Sequence, residues 1–254
     1  MILDAFGLRA RRCVHLIGGG GKTTLMFAAA QALAAEGRSV LTTTTTRILH
    51  REAAQSECVV VGSDAAFLVE RLRVAFASHR HVTAVAPGPG GGRKVGGLTN
   101  AVLDALIDAR VAGHVLVEAD GSAGRPLKAH ADHEPVVSPR ADLVIAVIGA
   151  DCLGEPMDDA HVHRAALLRE RLGRPPGAIV TAEDVADIVL HRDGYLARVA
   201  REVEVIVFVN QAATPQALAP VRRLAGTLLR ADSERRLAHV VVGDVRAGVY
   251  ERAG

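Results

Sequence analysis

Residues 14–26 read Val-His-Leu-Ile-Gly-Gly-Gly-Gly-Lys-Thr-Thr-Leu-Met, and this run restricts the possible folds more than any other part of the chain. The apolar start reads as a strand. The alanine-rich stretch after the threonines reads as a helix to about Glu36. Strand, glycine loop, Lys-Thr and helix N-terminus in that order are the parts of a phosphate-binding P-loop. Gly18, Gly19, Gly20 and Gly21 let the backbone curl at φ values that other residues avoid, so that its amides turn inward. Those amides, with Thr24 in the first helical turn, sit at the positive helix end that attracts phosphate oxygens. Lys22 adds a charge at the β- and γ-phosphates, and the Thr23 hydroxyl is a natural Mg²⁺ ligand. The pattern departs from GxxxxGK[ST] at one point. The first glycine would fall on Leu16, so either the loop is one residue tighter or Ile17-Gly18 makes its first turn.

The rest of the chain repeats the alternation. Apolar runs at 39–43, 59–61, 83–86, 115–119, 143–148, 205–209 and 239–242 are separated by stretches that read as helices. This predicts an α/β, P-loop NTPase-like three-layer fold around a mostly parallel sheet. Asp64 and Thr99 read as N-caps of helices reaching about Ala77 and Ala112. Pro87 to Gly92 reads as a mobile loop. Residues 122–140 form a long polar segment. Residues 158–191 read as helical, broken near Gly173–Gly177, and the run at 239–242 closes the sheet. The expectation is one domain over 1–254, with a small helical insertion around 150–200, because no Pro/Gly stretch is long enough for an interdomain linker.

Composition removes several classes of function. Aromatic residues are only 3% of the chain and the net charge is +2, so no basic stripe with stacking platforms for nucleic acid is expected. No apolar run approaches the length of a membrane span, and the N-terminus lacks the features of a signal peptide. Cys13, Cys58 and Cys152 form no CxxC pair, which suits a reducing, cytoplasmic setting and small buried apolar side chains.

In open α/β sheets ligands bind at the carboxyl ends of strands, and the polar clusters fall there. Asp120 and Glu118 end a central strand. A hard carboxylate beside Thr23 is what Mg²⁺ needs, with Asp120 the first choice and Glu118 the second. The competing reading is that one of them caps the following turn. The threonines at 42–46 are strand formers whose far end can reach Mg²⁺ or the γ-phosphate. Arg125 and Lys128 are candidates for contacting an anionic substrate. The histidines at 130, 133, 161 and 163 are read either as a polar loop over the site or as ligands of a second metal. Asn210 ends a late strand and is a candidate nucleotide contact.

Taken together, these residues resemble the YqeC family of selenium-dependent hydroxylase accessory proteins. The resemblance is carried by Gly-Gly-Gly-Gly-Lys-Thr-Thr at 18–24, the threonine tract, and Glu-Ala-Asp-Gly-Ser-Ala-Gly-Arg-Pro-Leu-Lys at 118–128. His133-Glu134-Pro135, Ile148-Gly149 with Leu153-Gly154, and Val162-His163-Arg164 add to it. It implies a nucleotide-binding protein that helps mature a selenium-dependent molybdenum hydroxylase or works with its cofactor machinery. It also brings His133, His163 and Arg164 into the candidate substrate set.

Where relatives resemble GTPases with Asn-Lys-x-Asp, this chain has Asn210-Gln211-Ala212-Ala213, so ATP is as plausible as GTP. A later loop at Asp232-Ser233 is the competing place for base selectivity. The expected function is a Mg²⁺-dependent, slow ATPase or GTPase in which Lys22, Asp120 and Glu118 do the chemistry. The rivals are a kinase or ligase acting on a small anionic substrate, and a non-catalytic nucleotide-binding scaffold.

Overall fold

The computed structural model describes residues 1–88 and 93–253, with the side chains of 215–217 excepted. Most of the Pro/Gly loop expected at 87–92 therefore lies outside the described residues.

After a short helix α1 (Ile2–Ala5), β1 (Cys13–Gly18) leads into α2 (Lys22–Ala35) and then β2 (Val40–Thr44). A small flap follows, made of β3 (Ile48–Leu49) and α3 (His50–Ala53). The chain continues through β4 (Cys58–Val61), α4 (Ala65–Phe76) and β5 (His81–Val85), with β6 (Lys94–Val95) returning to pair with β3. Next come α5 (Asn100–Asp108), β7 (His114–Glu118), β8 (Leu127–Lys128) and β9 (Leu143–Gly149). The last part comprises β10 (Val162–His163), α6 (Ala165–Leu172), α7 (Ala182–Leu190), β11 (Glu204–Asn210), α8 (Pro215–Ala231), β12 (His239–Asp244) and β13 (Val249–Ala253).

Nine strands form one sheet in the order β13-β12-β11-β9-β1-β7-β2-β5-β4, parallel everywhere except at β13. Strands buried on both faces read as continuous apolar runs, and every residue of β1, β7 and β9 is buried. Val14 and Leu16 face one helical layer with Leu25, Met26 and Phe27 of α2. Cys13 and Ile17 face the other, where α4 and α5 cover one half of the sheet and α6, α7 and α8 the other half. This is a three-layer α/β fold, as the sequence predicts. No helix among the described residues is long and apolar enough to cross a membrane.

The chain first builds outward from β1 through β2, β4, β5 and β7, then crosses to the opposite side with β9, β11 and β12. The order therefore reverses at β1. The crevice beyond the carboxyl ends of β7, β1 and β9 is where such sheets bind ligands.

Some expected boundaries shift. The helix capped by Thr99 ends at Asp108 because Arg110 takes a left-handed φ of 50°. The apolar Val111 and Ala112 beyond it are buried in the core without being helical. The stretch at 158–164 is turn and β10, and the helices α6 and α7 flank the expected break. The sheet is not closed by β12. The edge strand β13 follows it, with Val249 38% exposed, so its burial pattern leaves little for a sequence reading to detect. The N-terminal helix is also unannounced by any motif. It is held by Phe6, whose ring meets Phe208 edge-on at 5.2 Å.

Candidate functional site

The glycine loop joins β1 to α2 at the centre of the sheet edge. Gly18, Gly20 and Gly21 have φ of 96°, 71° and 113°, the left-handed region where a side chain is strained. Space excludes side chains as well, since a Cβ on Gly20 would lie 2.1 Å from the Gly149 nitrogen. The loop is tied from three sides. Gly19 N–H donates to Val147 O at 2.9 Å, Gly20 N–H donates to Arg125 O at 3.0 Å, and Asn210 Nδ2 donates to Gly20 O at 2.7 Å. The first-turn amides of α2 have no acceptor within the helix and remain the natural partners of an anion.

Both strand-end carboxylates meet this loop in different ways. Glu118 Oε2 accepts the Thr23 hydroxyl at 2.7 Å, with the Lys22 ammonium 4.0 Å from its other oxygen. Burial pushes the Glu118 carboxyl up, opposed by Lys22 and the Thr23 hydrogen bond. Asp120 lies deeper. It accepts Gly18 N–H at 3.1 and 2.9 Å on its two oxygens and pairs with Lys22 at 3.1 Å, Lys128 at 3.3 Å and His130 Nε2 at 2.5 Å. Burial alone would raise Asp120, but Lys22, the His130 hydrogen bond and Lys128 outweigh it and hold the carboxyl well below the usual range. His130 is lowered by burial despite Asp120, so a neutral imidazole donates to an ionised carboxylate.

The ion pairs continue away from the loop. Lys128 Nζ reaches Glu134 Oε2 at 2.9 Å, and the same oxygen accepts from Arg164. Burial opposes it, but hydrogen bonds from Arg164 and Lys128 bring the Glu134 carboxyl down to about 2. Lys22, Asp120, Lys128, Glu134 and Arg164 therefore form one alternating chain of charge from the glycine loop to the rim of the cleft. Tyr195 packs beneath it, its ring 4.6 Å from the His130 ring and its hydroxyl accepting Lys128 N–H at 3.3 Å.

The cleft over this edge holds about 1640 Å³. Its walls come from the glycine loop, from Thr45, Thr46 and Arg47 after β2, from Gly121 and Ser122 after β7, and from Asp244 at the end of β12 with Arg246 beyond it. Lys22, Thr23, Thr24, Glu118, His163, Arg164 and Asn210 all line it.

Three expected substrate residues are not in its lining. Arg125 Nε donates to Asp159 O at 2.7 Å, and the residue's carbonyl braces Gly20. Lys128 is 0% exposed and acts as an internal counter-ion. His133 is exposed away from the cleft. Asn210 lines the cleft, but its amide is already engaged on both atoms. Its Oδ1 accepts Val245 N–H at 3.0 Å while its Nδ2 holds the loop, so it is a brace. The Asp232-Ser233 loop belongs to a different pocket, beside Leu190 and Arg201.

The threonine tract divides. Thr42, Thr43 and Thr44 are buried in β2 with their hydroxyls bonded to Thr83, Ala84 O and Glu118 O, whereas Thr45 and Thr46 face the cleft. Among the described residues, no three His, Cys, Asp or Glu side chains converge as a metal group. Sequence reasoning gave His130 and Glu134 no ion-pair role beside Asp120 and Lys128, and it left Tyr195 outside the site. The first two sit in a polar segment with no periodicity, and the third lies far along the chain. The one available signal was the density of charged residues after Asp120.

Fold and site together define a three-layer α/β protein whose glycine loop, lysine and paired carboxylates meet at a topological switch point. The model of the YqeC protein family matches residues 14–166, more than half of the chain, and the chain belongs to that family. It is 35% identical over 118 residues to the uncharacterized protein YqeC of Escherichia coli (strain K12). That match covers 46% of each chain, so this chain spans about half the length of the relative it matches.

Proposed function

We propose that this protein binds a Mg²⁺–nucleoside triphosphate on a P-loop at residues 18–24 and hydrolyses it slowly. On this reading it acts as an accessory factor in maturing a selenium-dependent molybdenum hydroxylase, a role that rests on the family resemblance alone. The observation that carries nucleotide binding is the convergence of Lys22, Thr23 and Glu118 at the start of α2, beyond glycines that exclude side chains. Phosphoryl transfer needs little covalent chemistry from a protein, since positioning and charge stabilisation do most of the work. Lys22 and the loop amides would hold the β- and γ-phosphates.

Thr23 Oγ1 and Glu118 Oε2 are hard oxygen donors 2.7 Å apart, a donor set that fits Mg²⁺. Mg²⁺ bound there would supply charge neutralisation at the phosphates. The expected ranking of the carboxylates is therefore reversed. Asp120 is already committed to two ammonium groups, an imidazole and a backbone amide, so it orients Lys22 instead.

Glu118→Gln is expected to weaken Mg²⁺-dependent triphosphate binding tenfold or more, about 1.4 kcal/mol. Asp120→Asn is expected mainly to lower the melting temperature. Magnesium titrations with both variants test this. Unaltered Mg²⁺ dependence in Glu118→Gln, with loss in Asp120→Asn, would return the metal to Asp120.

Base selectivity is expected to be weak, with ATP and GTP within about tenfold of each other. A site that hydrogen-bonds a base rejects the wrong one strongly, because buried polar groups are left unpaired. Here Asn210 braces Gly20 and Val245, and Gln211 Nε2 donates to Asp151 at 2.7 Å. Ala212 and Ala213 carry no polar side-chain group. Competition binding at fixed Mg²⁺ measures the ratio, and a hundredfold preference for GTP would show that another segment reads the base.

A further inference from the structure

Resting on the nucleotide reading, we propose that the cleft also holds a second, anionic ligand. It is a small oxyanion, carboxylate or phosphate, docked on Arg164 beside His163. At about 1640 Å³ the cleft exceeds the roughly 300–1,000 Å³ of a pocket built for one small molecule.

Arg164 stands at the far end of the buried charge chain in an unusual backbone state, with φ 62° and ψ 53° at a residue that is not glycine. Such strain persists only where the surroundings over-determine it, and it concentrates at functional positions. One guanidinium nitrogen, Nη1, is anchored to Glu134 and to Ala129 O at 3.2 Å. Nε and Nη2 have no partner among the described residues, and the side chain is 30% exposed into the cleft. A guanidinium fixed by one nitrogen, with its other two free, is preorganised for a bidentate oxyanion.

The order of the charges agrees. Lys22, Lys128 and Arg164 alternate with Glu118, Asp120 and Glu134, and Arg164 is the terminal cation of the chain, where it lines the cleft. His163 lines the same wall, and its imidazole has no partner among the described residues. The wall is linked to the glycine loop through Glu134, Lys128 and Asp120.

The test is calorimetry on the full chain saturated with Mg²⁺ and a non-hydrolysable ATP analogue. Inorganic phosphate is the titrant in one arm and acetate in the other, so the arms separate the two oxyanion sources. The expected result is saturable uptake of one of them by the loaded protein. Arg164→Gln should weaken it tenfold or more, and Arg164→Lys, which keeps a cation against Glu134, should weaken it less. Retained analogue binding reports that each variant is folded. If Arg164→Gln does not fold, Arg164→Lys carries the comparison, and wild-type oxyanion affinity in it overturns the proposal.

No uptake of either anion by the loaded wild type overturns the subsite and leaves the nucleotide reading standing. So does wild-type affinity in Arg164→Gln. Loss of analogue binding in a folded Arg164→Gln assigns the arginine to the nucleotide and also overturns it. Failure of the analogue to bind the wild type overturns the nucleotide reading and the subsite with it.

Discussion

Lys22→Ala is expected to abolish turnover and weaken triphosphate binding by about 1.5–3 kcal/mol, the worth of a charge-assisted contact to phosphate. Lys22 is 3% exposed and paired with Asp120, so the substitution also removes a buried ion-pair partner. The fold should survive, because Asp120 keeps Lys128, His130 and the Gly18 amide. Calorimetry with a thermal melt separates the two effects. A folded Lys22→Ala protein with wild-type nucleotide affinity would remove the lysine from the binding site.

The second large effect is structural. Lys128→Met is expected to destabilise the protein by about 3–5 kcal/mol, because it strips the shared cation from two carboxylates in a buried site. Asp120 and Glu134 both lean on its ammonium, at 3.3 and 2.9 Å. Urea unfolding of the variant measures the loss, and a change below about 1 kcal/mol would mean that the pairs are not sustained in solution.

The same cluster predicts an acid sensitivity. Glu134 falls in the folded state from its ordinary 4.5 to about 2, so its contribution is fully present above the unfolded value. It is lost as pH falls from about 4.5 toward 2, and the wild-type protein should lose stability through that window more steeply than Lys128→Met.

The parts of this molecule that were legible in the sequence are those where local pattern and final environment coincide. β1, β7 and β9 are apolar without interruption because helices cover both faces, and the glycine loop must be glycine because Gly149 and Arg125 crowd it. The edge strand β13 escaped because nothing buries it evenly. The charge chain escaped for a different reason. Lys128, His130 and Glu134 lie in a polar stretch that resembles a solvated loop, and lysine is almost never buried unless paired. Only the return of that stretch beneath the glycine loop, onto Asp120 and Tyr195, makes the pairing possible. Asn210 shows the same limit in reverse. Its position at a strand end was legible, but its commitment to Gly20 and Val245 was not.

The central claim is that the glycine loop binds a metal–triphosphate. Calorimetric titration of the wild-type chain with ATP and with GTP, each with and without Mg²⁺, tests it most directly. The account predicts saturable one-to-one binding of both nucleotides, strengthened by Mg²⁺. Absence of binding for both, in folded protein and with Mg²⁺ present, would contradict it.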